Sequence, residues 1–417
     1  MPTTMPYGET VEVLMEVGFL VNFFTLDDPT LGQLDTGGFL DGTLIGDDVS
    51  PYLQDMSIVR GRTDQLAQTQ TGTASFSLIN NDRRFDPINE SSPYWDSVEN
   101  RSGLQPRRKV TVKINNVSIF VGKITDIDVI YDQQQSFVTI DASDDFVLLA
   151  NTNIENDITP SVELSSVRLS AILDLPEVNF PATRSITTGT QNLGAYPITT
   201  GTNVLTYIQK INDSEGGYVF IDGDGDLNFV ERQDAIFGTS LVAFADDGTG
   251  ISYAKLGVSY GQEFLFNKVL IKNVGGTEQV ADDAASQAEY GVSTLSESDM
   301  LLATDAQALT FATYLLGKYK EPVFRFDELG VVMNDLSSGQ RTSVLGLELS
   351  EALSIKKTYS TGTPASVTRG FGVQRITHKV TSVSHSILFG LEVRDIVYPL
   401  KLDDAVFGIL DADNALS

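Results

Sequence analysis

"KVTVKINNVSIFVGKITDIDVIYDQQQSFVTIDASD", residues 109–144, alternates apolar and polar side chains through three runs, broken at "INN" (114–116) and "DQQQ" (132–135). A period of two sends successive side chains to opposite faces. The stretch therefore predicts antiparallel strands joined by tight turns, with one face in a core. "MSIVRGR" (56–62) and "TASFSLINND" (73–82) follow the same pattern, and "DDFVLLAN" (144–151) offers a closing turn of helix. Residues 1–150 are expected to form an N-terminal domain, a β-barrel or small sandwich.

Outward from that block the pattern changes. In 151–239, "SSVRLSAILDL" (165–175) opens with a serine suited to an N-cap. "TNVLTYIQKINDSEGG" (202–217) places Val204, Leu205, Ile208 and Ile211 on one helical face, with Gly216 and Gly217 as its stop. "YVFIDGDGDLNFVERQ" (218–233) reads as a hairpin, so this block is a small α/β domain. Block 240–335 returns to strands and adds one helix, "TDAQALTFATYLLGKYK" (304–320), capped by Thr304 or Asp305 and ended before Pro322. It is expected to be a second barrel-like, helix-containing domain. Residues 336–417 read as a C-terminal β domain with an acidic tail. The expected fold class is mainly β with α+β insertions: two β-barrel-like domains plus smaller α/β domains.

The chain has 417 residues, too many for one core, and its 41% hydrophobic and 20% charged content is globular. No apolar run approaches the ~20 residues of a membrane span, and "MPTTMPYGETVEV" carries no secretion signal, so neither is expected. The absence of cysteine excludes disulfides, thiol catalysis and thiolate metal sites. Twenty-eight Lys and Arg face 56 Asp and Glu, for a net charge of −28. Such a surface repels phosphates, which argues against a nucleic-acid-binding module. It suits plain solubility, or a conduit that DNA passes without sticking.

Candidate chemistry is sparse. "DGDGDLN" sets Asp222, Asp224, Asp226 and Asn228 at alternate positions, a spacing that could cage calcium. The twelfth position, however, is Gln233 rather than glutamate, and a strand precedes the loop. Asp and Gly are also the residues of tight hairpin turns, the favoured reading here. His378 and His385 lie seven apart on a strand–turn–strand, without the partners of a zinc site. There is no G-x-S-x-G elbow and no phosphate-binding glycine loop. The acid pairs Asp144/Asp145, Asp246/Asp247 and Asp282/Asp283 would matter only if two met across a cleft. No catalytic residue and no cofactor are expected. Tyr94 and Trp95 could form a sugar platform or anchor a loop.

The arginines cluster in the first third: Arg60 and Arg62, Arg83 and Arg84, Arg107 and Arg108. They are candidates to meet acidic segments of another copy, or to pair within the chain. An acidic phrase, L-D-D-x-x-x-G-x-L-D, occurs near both ends, with Asp27, Asp28 and Asp35 matching Asp403, Asp404 and Asp411. These aspartates are candidate interface residues, on two arms that would dock at equivalent sites.

"SIVRGRTDQLAQTQTGTASFSLINNDRRFDPINESSPY", then "SGLQPRRKVTV" and "FVGKITDIDV", resembles the N-terminal portion of tailed-phage minor tail proteins. "GGYVFIDGDGDLNFVER", "NKVLIKN" and the terminal "LDDAVFGILD" fit the same order. The resemblance implies a siphophage tail-tip hub, similar to the baseplate hub of contractile phages: a homotrimer with two barrels per chain. It implies a distal tail or tube ring above, fibre or tip proteins below, a tape-measure protein, transient passage of DNA, and residence in the virion after synthesis in the host cytoplasm. A hexameric distal-tail adaptor and a host-surface carbohydrate-binding module are the alternatives.

Overall fold

The structure, a computed structural model, describes residues 2–17, 46–97, 100–131, 135–232, 242–394, 398–399 and 414–415. The first unit contains β1 (Thr10–Glu16), β2 (Gly46–Asp48), β3 (Leu53–Gly61), β4 (Gln70–Ile79), β5 (Lys109–Ile114), β6 (Val117–Ile130) and β7 (Phe137–Ser143). The alternation read from 109–144 is real: Val110, Val112 and Ile114 are buried, as are Val138 and Ile140. Asn115 and Asn116 make the first break at positive φ, the conformation that a two-residue hairpin turn of matching twist requires.

Antiparallel pairing runs β1–β5–β6–β7–β4–β3. The last member then returns to the first. β2 and β3 are two halves of one run bent at Ser50–Tyr52, and β2 pairs with β1. At the bend the Val49 N–H donates to the Val13 carbonyl at 2.9 Å, and the Val13 N–H donates to Ser50 Oγ at 2.8 Å. The sheet is thereby closed into a barrel, which leaves few unpaired backbone groups at an edge.

The chain then builds a small α/β unit: α1 (Phe146–Ala150), α2 (Ser165–Leu173), β8 (Arg184–Ile186), α3 (Val204–Glu215), β9 (Tyr218–Ile221) and β10 (Leu227–Val230). β10 lies between antiparallel β9 and parallel β8. α3 buries Val204, Tyr207, Ile208 and Ile211; Leu205 sits at the margin. Ser165 is not the cap of α2: Leu164 occupies that position, and the serine hydroxyl instead donates to the buried Glu215 at 2.6 Å.

β11 (Val242–Ala245) and β12 (Lys255–Ser259) follow, and then an inserted unit of β13 (Lys268–Asn273), β14 (Gln279–Asp282), α4 (Ala284–Tyr290), β15 (Thr294–Met300) and α5 (Asp305–Tyr319). Thr304 caps α5, accepting the Gln307 N–H at 3.2 Å. The chain returns as β16 (Arg325–Val332), α6 (Ser338–Leu345), β17 (Ala352–Thr358), β18 (Ser366–Thr381) and β19 (His385–Arg394). Pairing runs β11–β17–β18–β19–β16–β12. Ile251, just before β12, bridges Phe244 of β11 and closes this second sheet as well.

The two barrels are parts of one continuous sheet. β18 is long enough to serve both: 366–372 pair with β17, and 375–381 pair with β3 of the first barrel. A single apolar cluster runs through both, from Phe76 and Val112 to Phe326, Phe371 and Phe389. The expected boundary between 240–335 and 336–417 is therefore corrected. β11, β12 and β16 from one side share a barrel with β17, β18 and β19 from the other, while 268–319 forms a separate inserted sheet and helix. Periodicity identifies a strand but does not name its partner.

Candidate functional site: the seam between the barrels

Arg60, Gly61 and Arg62 end β3 where it crosses to β18. Gly61 has φ +102, and a β-carbon there would stand 2.2 Å from the Gln374 carbonyl oxygen. The same carbonyl accepts the Arg62 N–H at 2.9 Å and the Tyr218 hydroxyl at 2.7 Å. The α/β unit is thus tied to the seam at the residue where both barrels meet.

The flanking arginines serve opposite sides. Arg60 is 4% exposed; its Nη1 donates to Glu348 Oε1 at 2.7 Å and to the Ile221 carbonyl at 3.4 Å. Arg62 reaches Glu392 at 3.4 Å, donates to the Gln374 side chain, and lies 4.4 Å over the Tyr218 ring. Glu392 also takes Lys318 from the inserted unit. Burial opposes the Lys318 charge most strongly, but Glu392, Tyr319 and Tyr314 together outweigh it and hold the ammonium above the ordinary lysine range. Arg62, Asp213, Tyr218, Phe311, Lys318 and Glu392 line a cleft of about 360 Å³ where the units converge. Asp213 accepts from Gln68 Nε2 at 3.0 Å, and burial raises it; burial and the charge of Asp213 raise Glu297 across the cleft.

The "DGDGDLN" loop is a turn that latches onto the barrels. Asp222 Oδ1 accepts the N–H groups of Asp224 and Asp226 at 3.0 and 2.9 Å, and Oδ2 accepts Asn228 Nδ2 at 2.7 Å. Asp226 accepts the Thr183 hydroxyl at 2.6 Å. At the tip, Gly223 donates to Glu348 Oε2 at 2.9 Å and accepts the Ser118 hydroxyl at 2.7 Å. Asp222 thus organises the backbone of the turn, Asp224 contributes its N–H to it, and Asp226 ties the turn to Thr183. Among the described residues no three His, Cys, Asp or Glu are grouped to hold a metal.

The other candidate residues disperse. Arg83 pairs with Asp86 at 2.7 Å and Arg84 with Asp82 at 2.8 Å, all within one turn. Arg107 is exposed at positive φ, its backbone bonded to the Ile124 carbonyl; Arg108 flanks the same turn. Asp27, Asp28, Asp35, Asp403, Asp404 and Asp411 lie outside the described residues. The acid pairs do not meet across a cleft: Asp144 accepts backbone N–H groups, Asp246 and Asp247 hold Lys357 and Lys356, and Asp283 caps α4. Tyr94 is buried and donates to Asp47 at 2.6 Å, an anchor rather than a platform. His378 and His385 face each other inside the seam at 3.1 Å. Sequence reasoning did not find Glu348, Gln374 or Glu392. They lie some three hundred residues from the arginines that they hold, and no local pattern marks them.

No protein-family model and no curated protein matches the sequence. Solved structures do. The 43 kDa tail protein of prophage MuSo2 from Shewanella oneidensis superposes with a TM-score of 0.56 at 14% identity, covering 92% of this chain and 98% of that one. The tail protein from Neisseria meningitidis MC58 gives 0.57 at 10% identity, over 92% and 96%. At such identities the likeness is one of fold, and it spans nearly the whole of each chain, barrels and inserted units together. The chain has the fold of these tail proteins.

Proposed function

We propose that the chain is a structural component of a phage tail tip, a hub ring at the distal end of the tail tube. The observation that carries this reading is the pair of closed barrels joined by one sheet. A chain that presents two barrels in fixed relation gives six in a trimer, and six is the number needed to continue a sixfold tube. The likeness to tail proteins agrees with it. In this reading the role is non-catalytic. The ring meets a distal tail or tube ring above, tip or fibre proteins below and the tape-measure protein within, and DNA passes an acidic bore that does not hold it. The two L-D-D arms dock on equivalent sites of neighbouring barrels.

Light scattering on the purified chain tests the stoichiometry. Three chains of 45.3 kDa give about 136 kDa and six give about 272 kDa. The trimer is expected; a hexamer would replace the hub by an adaptor ring. Removing 402–417 is expected to weaken ring assembly, and an unchanged ring would end the docking role of the arms.

A further inference from the structure

The seam holds a buried proton chain that the assembly role does not use. Glu9, at the entrance to β1, contacts His385 Nδ1 through Oε2 at 2.7 Å. His385, at the start of β19, contacts His378 Nδ1 through its Nε2 at 3.1 Å. Glu9 and His385 are fully buried, and His378 is nearly so. His378 sits in β18 opposite Ile58 of β3, within the ladder that joins the barrels, while Glu9 belongs to the first barrel. The chain therefore bridges the two barrels beneath their shared pairing.

Proton counting limits what this arrangement tolerates. A contact between two ring nitrogens needs one donor and one acceptor. With both imidazoles neutral, one N–H points along the chain toward the Glu9 carboxylate. One excess proton is also accommodated, because its charge is balanced by Glu9 and the ring contact keeps an acceptor. A second excess proton sets N–H against N–H at 3.1 Å. It also adds a cation near Arg60, the charged group that β3 presents to His378. From the N-terminal segment, Tyr7 lies beside Glu9 and donates to the Thr381 carbonyl at 3.4 Å; Arg341 of α6 faces Tyr7. The second oxygen of Glu9, Oε1, is buried with no hydrogen-bond partner among the described residues.

We propose that Glu9, His385 and His378 form an acid-operated lock on the seam: uptake of the second excess proton loosens the β3–β18 ladder while the rest of the chain stays folded. Burial, His385 and Arg60 together hold His378 well below the ordinary histidine range, so the lock is shut at neutral pH. The unfolded or opened seam takes up protons near the ordinary value of 6.5, and stability of the seam is lost as pH falls below it.

Hydrogen exchange at pH 7 and pH 5, corrected for intrinsic rates, tests this on the full chain. Peptides covering 53–61 and 375–381 are expected to lose protection tenfold or more at pH 5, while those covering 268–300 keep theirs. His378→Gln, which stays neutral, should abolish the difference; Glu9→Gln, which removes the counter-charge, should enlarge it. A loss spread evenly over the chain, or an acid response unchanged in His378→Gln, overturns the proposal. With only two histidines in the chain, ring NMR signals of the unsubstituted protein give a second measurement. His378 should take up its proton only as the ladder amides begin to exchange; titration near 6.5 with an intact ladder overturns the lock.

Discussion

Gly61 and Gln374 meet so closely that a β-carbon on the glycine would stand 2.2 Å from the glutamine carbonyl oxygen. That carbonyl already receives Arg62 and Tyr218, so it cannot retreat without loosening the α/β unit from the barrels. Gly61→Ala is expected to cost about 3 kcal/mol or more, from clash added to positive-φ strain. Gly201, at φ +86 with nothing within 4 Å of the built β-carbon, isolates the strain alone. Gly201→Ala should cost about 1–2 kcal/mol. Urea denaturation of both variants decides: equal costs would mean that the close approach at Gly61 is unimportant.

Arg60 and Arg84 look alike in the sequence and differ in burial. Arg60 and Glu348 are 4% and 25% exposed, so removing the arginine strands a carboxylate in a poorly solvated junction. Arg60→Met should destabilise by about 3 kcal/mol. Arg84 pairs with a half-exposed Asp82 and lies 4.1 Å over the Tyr52 ring. Arg84→Met should cost about 1 kcal/mol, mostly from the lost ring contact. Thermal unfolding separates the two, and the reverse order would remove the seam as the reason for the R-G-R segment.

What the sequence made legible was local. The period of two in 109–144 gave strands whose inward residues, Val110, Val112 and Ile114, are indeed buried, and of the two expected caps of the helix, Thr304 and Asp305, it is Thr304 that caps it. Pairing across distance was not legible. β3 and β18 join residues more than three hundred apart, and nothing in "SIVRGR" names Gln374 as the neighbour. The arginines were visible as charges in an acidic chain. Their partners were not, because an ion pair leaves no spacing rule when its members come from different units. Ser165 failed as a cap for a related reason: a long-range bond to Glu215 outcompeted the local one.

Asp222 makes a prediction in which a metal plays no part. Three donors converge on its carboxylate, and the turn they shape carries Gly223 onto Ser118 and Glu348. Asp222→Ala should cost about 2 kcal/mol through donors left unpaired. Added calcium should leave the unfolding midpoint of the unsubstituted protein where it was. A rise with calcium that Asp222→Ala abolishes would restore the cage reading of the loop.

Asp144 works against His378 as pH changes. It is buried beneath Gly72 and Phe146, whose N–H groups it accepts at 2.7 and 3.0 Å. Burial pushes its carboxyl up to about 7, and the two N–H groups and Arg60 only partly offset this. The folded chain then binds a proton that the unfolded chain, with an ordinary value of 3.8, has released. Stability from this group is present below pH 3.8 and is lost as pH rises toward 7, by at most about 4 kcal/mol at 1.36 kcal/mol per pH unit. The depressed His378 has the opposite sign below 6.5, so the two partly cancel in the unsubstituted protein. A difference measurement removes that cancellation. The unfolding free energy of Asp144→Asn minus that of the unsubstituted chain, followed from pH 4 to pH 7, should shift steadily in favour of the variant. A difference that stays level would mean that Asp144 is ionised in the fold, held by its two backbone donors against the cost of burial.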